Sequence, residues 1–532
     1  MPVLRRLTVQ HALLVALIGC DHATVVAPDA QRTTRTPSVA DSGAAPPATR
    51  IWPTGGSGTF PSSVSYATDL GTITTLNVSG PIETGLHGFF SPLGSNGRAC
   101  ITCHQPADGM SISSRSASQL WEETHGEHPL FAMIDGANCP NLPARERSSH
   151  SLLLERGLFR IALPWPPMAA DGTPIEPEFT LEVIRDPAGC NLDATHGLLS
   201  AQPRVSVYRR PRPAANLKYA TEIGFSFDPK NGLPLVLDHD ARSPNNPTPT
   251  SGNLLADARL RTLSAQAVDA LRYHADLAGE PSPTQLQQIL DFETQLYTAQ
   301  SSDSRAGVLT GAGAQGGPEA LAKAPAARLQ SSTARPIWGE FAAWKQKEKD
   351  DHPPAPANGP VDAQRDFRSS VARGATLFAT RQFLISDSTG INDTGFGNPV
   401  RNSCAFCHNM LHAGLDVAPG QVDLGTTNIP LANPLPDLPV FRLTCHLTAP
   451  PHPFLGRVID THDPGYALTT GKCIDIGKIT AQSLRGIAAR APYFSNGSAQ
   501  TLAEVIDFYD RRYALQLTDQ EKLDLQHLLE VL

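Results

Sequence analysis

The chain is poor in charge, in methionine and in long apolar runs. Of its 532 residues only 18% are Asp, Glu, Lys or Arg, and the formal net charge is a mild −8. That balance lacks the basic footprint of a nucleic-acid binder, so nucleic acid is excluded as a partner. The N-terminal apolar run, Ala12 to Ile18, is too short to span a bilayer. Methionine occurs five times and never after Met410. A thioether side chain is therefore excluded from any site built downstream of that residue. No internal repeat of short period is present.

What is there is proline, glycine and a telling set of cysteines. Forty-seven prolines and 42 glycines in a chain this long predict two or three loop-rich domains with a low-complexity linker. Arg5 and Arg6, the apolar run and Leu17-Ile18-Gly19-Cys20 read as a bacterial export signal ending in a lipobox, with Cys20 the lipid-acylated first residue of the mature chain. Residues 21–60, rich in Ala, Pro, Thr and Ser, read as a flexible tether.

Two CxxCH motifs, Cys100-Ile-Thr-Cys103-His104 and Cys404-Ala-Phe-Cys407-His408, carry the chemistry. The spacing is the attachment signature of c-type haem. Two thiols one helical turn apart bond the porphyrin edge, and the adjacent imidazole becomes the proximal iron ligand. A single such motif also suits zinc; two of them in an exported chain favour two covalently bound haem c groups, with His104 and His408 as iron ligands. With Cys20 and these four assigned, Cys139, Cys190, Cys445 and Cys473 remain. An even remainder in an oxidising compartment predicts two disulfides. Of the three possible pairings, Cys139 with Cys190 and Cys445 with Cys473 is the simplest.

The C-terminus holds the clearest local signals. Thr501-Leu-Ala-Glu504 and Thr518-Asp-Gln-Glu521 are capping boxes that open two helices. On the first, Leu502, Val505, Ile506 and Tyr509 share one stripe; on the second, Leu525, Leu528, Leu529 and Leu532 do. Upstream, Phe367 to Phe378 is an amphipathic segment, and Trp338 and Trp344 hint at a short helix within the region 301–365.

Several segments together resemble the diheme cytochrome c peroxidase family, including its MauG-like branch. Arg373-Gly-Ala-Thr-Leu-Phe378 is similar to the family's helix before the second CxxCH. Ser483-Leu-Arg485, Ala491-Pro-Tyr-Phe-Ser-Asn-Gly-Ser498 and Thr501-Leu502 are similar to its TLRN, APYFHNGS and TLEEV run. Leu93-Gly-Ser-Asn-Gly-Arg98 precedes the first motif as in long members, and Asp257-Ala-Arg259 with Thr262-Leu-Ser-Ala-Gln-Ala267 resembles their DGRxxTLEEQA.

The resemblance implies a mainly α fold: two cytochrome c-like haem domains, 61–300 and 366–532, with long irregular loops and insertions and a linker or insert at 301–365. It implies Tyr509 as distal ligand of the second haem, at the position where family peroxidases place methionine and the MauG-like branch tyrosine. His446, His452 and His462 are the competing donors, and packing in the core is the alternative role for Tyr509. For the first haem, Gln266 matches a distal-pocket glutamine, and His274 or Asp276 would supply the proton-moving group. Trp165 matches the tryptophan between the haems. Ser495 stands where members carry histidine, so a relay through that imidazole is missing. A calcium ion held by carbonyls near Arg490 and Pro492 is also implied.

The implied activity is reduction of hydrogen peroxide or another small oxidant, with electrons from a small cytochrome c or cupredoxin passing from the C-terminal to the N-terminal haem. The expected place is the periplasmic face of the cell envelope, with a membrane tether through Cys20. The long spacing between the motifs keeps open a diheme oxygenase acting on an organic substrate, as in rubber oxygenases. A non-catalytic electron-transfer cytochrome is the reading from another class.

Overall fold

Along Ser63–Thr68 the side chains alternate exposed and buried, the two-residue period of a half-covered strand. That strand pairs antiparallel with Gly71–Asn77, which pairs in turn with Leu296–Asp303, and the short Gly307–Val308 completes a four-stranded sheet. Hydroxyls lace its face: Thr74 Oγ1 meets Ser301 Oγ at 2.7 Å, and Ser65 Oγ meets Thr74 Oγ1 at 2.8 Å. A second sheet has Val440–Cys445 in the middle, flanked by Phe179–Arg185 and Val458–Thr461. Phe159–Pro164 pairs with Arg204–Arg209. The computed structural model describes residues 50–169, 171–221, 223–227, 234–238, 254–323, 339–345, 360–408 and 421–532. Cys20, Trp338 and Met410 lie outside them.

These sheets overturn the mainly α expectation. With 32% helix and 18% strand the chain is a mixed α/β fold. The physical reason lies in the stretch after Cys103, where the resemblance implies irregular loops. Its strands are short, and Phe179–Arg185, although it alternates apolar and polar residues, finds its partner more than two hundred positions on, so the sheet itself is not visible locally.

The helices that were legible form around the second CxxCH. Pro360–Thr380 crosses Asp519–Glu530, and Leu502–Tyr513 packs beside them. The crossing needs a glycine: a Cβ on Gly374 would lie 2.0 Å from the Asp524 carbonyl oxygen. Arg373 Nε and Nη2 donate to the Asp524 carboxylate at 2.8 and 2.7 Å, pinning the crossing from the side. At Thr518 the capping box is reciprocal, with Thr518 N to Glu521 Oε2 at 2.9 Å and Glu521 N to Thr518 Oγ1 at 3.2 Å. At Thr501 the hydroxyl caps Glu504 N, but the Glu504 carboxylate accepts from Gln500 N instead.

All the described residues belong to one packing unit, Gly43–Leu532. Within it, one apolar core surrounds the Cys404 motif and another the Cys100 motif. The strand Leu296–Asp303 runs through residue 300. Both disulfides form as paired above, Cys139–Cys190 and Cys445–Cys473. Among the described residues no helix is long and apolar enough to cross a membrane.

Candidate functional site

The first CxxCH forms a single helical turn, Cys100–Cys103, which places the two thiols one turn apart. The chain enters it tightly, since a Cβ on Gly94 would fall 1.8 Å from the Ala275 carbonyl oxygen. Next in the chain, His104 Nδ1 donates to the Met110 carbonyl at 3.0 Å. That bond fixes the tautomer and leaves Nε2 as the free ligand atom, the usual arrangement for a metal-binding histidine. Burial pulls the His104 pKa down to about 4; the Met110 carbonyl opposes this, and His274 adds to it. A neutral imidazole is the form that ligates iron. Burial also pushes the Cys103 thiol up to about 12, which does not suit a reactive thiolate.

Cys100, Cys103 and His104 open onto a solvent-connected cavity with about 1310 Å³ of non-atom space, that opening included. Helix Leu263–Tyr273, capped by Thr262 Oγ1 on Ala265 N at 3.1 Å, forms another wall. Gln266 and His274 line the cavity with His104, so three of the residues singled out in sequence meet there. His274 Nδ1 is hydrogen-bonded to the Asp135 carboxylate, whose other oxygen pairs with the buried Arg98. Burial raises the Asp135 pKa, but Arg98 and His274 outweigh it and hold the carboxyl below its ordinary value. An ionised Asp135 orients the His274 ring through Nδ1.

Asp276 and Trp165 are not part of this wall. Asp276 is exposed and accepts a hydrogen bond from Ser95 Oγ. Trp165 follows the strand Phe159–Pro164, and its ring lies 5.8 Å from that of Phe179, in the core of the second sheet. It lines neither CxxCH cavity.

Two features of this cavity escaped sequence reasoning. Glu293, on helix Pro283–Gln295, is 5% exposed, and its Oε2 has no hydrogen-bond partner among the described residues. Burial pushes its pKa up to about 8, so at neutral pH it is an uncharged acid. The second feature is an arginine cluster, in which Arg209, Arg210, Arg212 and Arg259 all line the cavity. Arg209 Nε and Nη2 bind Asp463 at 2.6 and 2.9 Å, and Arg209 Nη1 binds Asp257. No spacing rule in the sequence marks either feature. The only local clue is the density of arginine in Arg209-Arg210-Pro211-Arg212.

The second CxxCH lines a separate cavity of about 760 Å³ of empty space, walled almost wholly by apolar side chains. Cys404, Cys407, His408 and Tyr509 share it. Tyr509 extends from helix Leu502–Tyr513, and burial is the first cause that raises its pKa, with Tyr513 and the two thiols adding to it. In this setting a phenolate needs a cation beside it. Tyr513, one turn on, also lines the cavity, but its hydroxyl is within 2.8 Å of Ser388 Oγ. The competing histidines are elsewhere. His462 Nδ1 donates to the Pro439 carbonyl at 2.9 Å, and His452 Nδ1 accepts from Leu455 N at 3.0 Å. Neither these two nor His446 lines the cavity.

The donor sets fit haem at both motifs. Each offers a thiol pair and an adjacent imidazole on one cavity wall. Among the described residues no group of three or more His, Cys, Asp or Glu is placed to hold a metal ion, so no four-ligand zinc site completes either motif there. Where the resemblance implies calcium, Arg490 Nη2 donates to the carbonyls of Ser483 and Arg485 at 2.5 and 3.1 Å. Ser495 Oγ is buried without a hydrogen-bond partner among the described residues.

No family model matches the chain. It is similar to a cytochrome-c peroxidase of Denitromonas iodatirespirans, 38% identical over 81 residues. The match covers 13% of this chain and 22% of that protein, so the chain matches about a fifth of the relative's length. That likeness supports a peroxidase-like relationship, an oxidoreductase, and haem as the cofactor.

Proposed function

We propose that the chain is a diheme c-type oxidoreductase of the cell envelope that reduces hydrogen peroxide at the Cys100–His104 site. The observation that carries this reading is the single cavity shared by His104, Gln266 and the Asp135-oriented His274. The overall reaction adds two electrons and two protons to one peroxide and yields two waters. A small cytochrome c or cupredoxin would supply the electrons, entering at the Cys404–His408 site. When bound, haem supplies the redox chemistry. The protein's part is to hold and move protons: His274 Nε2 can take a proton from the near peroxide oxygen and return it to the far one, while the Gln266 amide orients the O–O bond. Such positioned transfer typically contributes 10²- to 10⁴-fold.

At the second site Tyr509 would fill the sixth iron position, which directs peroxide to the first site. The two disulfides support an oxidising compartment, in keeping with a lipid tether at Cys20.

One experiment tests the reading. Intact mass of the purified chain should show two haems, and rapid mixing with peroxide should change the spectrum of one of them. His274→Ala should slow that change by roughly 10²- to 10⁴-fold, while Tyr509→Phe should alter the low-spin signal of the other haem. A mass with fewer than two haems would defeat the diheme reading. Two haems with no reaction would leave an electron-transfer cytochrome.

A further inference from the structure

The charges around the Cys100 cavity do not balance. Arg98 has Asp135, Arg209 has Asp257 and Asp463, and Arg259 has Asp257 and Asp269. Arg210 and Arg212, on the same cavity wall, have no carboxylate partner among the described residues. Among the described residues their hydrogen bonds go to backbone carbonyls only. Arg210 Nη1 and Nη2 reach Arg156 O and Ile112 O at 3.3 and 3.1 Å. Arg212 Nη1 and Nη2 reach Ala481 O and Thr480 O at 2.7 and 2.6 Å, and Arg212 Nε is buried with no partner among the described residues.

Carbonyl dipoles orient a guanidinium but do not neutralise it, and an uncompensated buried charge costs several kcal/mol. Burial, with neighbouring arginines adding to it, pulls both groups down to about 9, so each is still a cation at neutral pH. The sequence also holds the pair apart. Arg210 and Arg212 are two residues apart in a run punctuated by Pro211 and Pro213, which fixes φ.

We propose that Arg210 and Arg212 are the seat for the two carboxylate tails of the haem bonded at Cys100 and Cys103, one guanidinium to each. The inference rests on the diheme reading above and adds the residues that set the haem's orientation and charge. A haem c is tethered through its thioether edge, and its two carboxylates sit on the opposite edge. Two guanidiniums without a carboxylate partner among the described residues, Arg210 buried and Arg212 half-buried, line the cavity of the tethering cysteines and match that demand in number and sign. Each pair lowers the cost of ferrous over ferric iron, because it offsets negative charge near the metal.

The test uses the full chain matured with haem. Arg210→Gln and Arg212→Gln should each keep both haems by intact mass and lower the first site's midpoint potential. A tenfold change in the reduction equilibrium is expected, which is ~59 mV for one electron. Arg→Lys at either position should restore most of it. Redox-difference infrared spectra of wild type with ¹³C-labelled haem carboxylates give a second measure that needs no variant: both carboxylate bands should remain ionised at pH 5. Unchanged potentials in both Gln variants with two haems counted would overturn the seat, as would a neutral-acid band in wild type at pH 5. Succinate is the probe for a free dicarboxylate. A saturable spectral shift with it in wild type, lost in the Gln variants, would assign the arginines to a substrate and overturn the haem seat. A wild type without haem at Cys100 would instead fail the diheme reading.

Discussion

Glu293 does not behave as an ordinary carboxylate. Its folded pKa of about 8 stands against the usual 4.5, and burial is the cause. Between those values the unfolded chain gives up a proton that the folded chain keeps, so stability is fully present below pH 4.5 and falls as pH rises to about 8. At ~1.36 kcal/mol per pKa unit the loss is on the order of 5 kcal/mol. Glu293→Gln keeps the shape and removes the ionisation. The variant should therefore show a smaller drop in melting temperature from pH 5 to pH 8 than wild type does. Parallel pH profiles for the two proteins would mean that Glu293 ionises freely. Nothing in the local sequence Asp291-Phe-Glu293-Thr-Gln295 distinguishes it from the exposed acids nearby, because the desolvation comes from the Cys100 side of the cavity. The same holds for Asp135, whose value to His274 depends on a partner 139 residues away.

At the scale of elements, legibility followed locality. Capping boxes at Thr501 and Thr518, apolar stripes and the CxxCH spacing are complete within a few residues, and the helices start where those signals put them. Phe179–Arg185 pairs with a strand more than two hundred residues on, and Gly71–Asn77, though it forms a local hairpin with Ser63–Thr68, joins its sheet through the distant Leu296–Asp303, so the mixed fold was hidden. The crossing of Pro360–Thr380 with Asp519–Glu530 lies between these cases: the glycine of Arg373-Gly-Ala-Thr-Leu-Phe378 is visible, but its reason is not. Gly374→Ala would gain ~1 kcal/mol in helix propensity. Against that, the new Cβ would sit 2.0 Å from the Asp524 oxygen and 3.1 Å from Leu528 Cβ. Overpacking typically costs ~1–3 kcal/mol, and contact with rigid backbone falls at the upper end. The clash wins. The variant should melt several degrees lower, and the Leu525 and Leu529 wall of the second cavity should shift. Equal or higher stability would show that the two helices can slide apart at little cost.

At the scale of the molecule, the two CxxCH regions are joined by more than chain. Val440–Cys445 pairs with Phe179–Arg185, and the C-terminal carbonyl of Leu532 accepts from Gly486 N at 2.9 Å and from Gln300 N at 3.3 Å. Arg209 binds Asp463 and Asp257 together in a buried cluster where the carboxylates outweigh burial and raise the guanidinium pKa. Removing one partner of a buried ion pair typically costs ~3–5 kcal/mol, because the remaining charge cannot return to water. Asp463→Asn leaves Arg209 with Asp257 alone and keeps a polar amide in place, so about 3 kcal/mol is expected. The loss belongs to the whole assembly, since Arg209 lines the first cavity while Asp463 lies beyond the second CxxCH in sequence. Wild type and Asp463→Asn should each melt in one step, the variant at lower temperature, with near- and far-ultraviolet dichroism coincident. A melt that splits into two steps in either protein would show that the two regions are stable bodies in their own right, and that the sheet and the ion-pair cluster only hold them side by side.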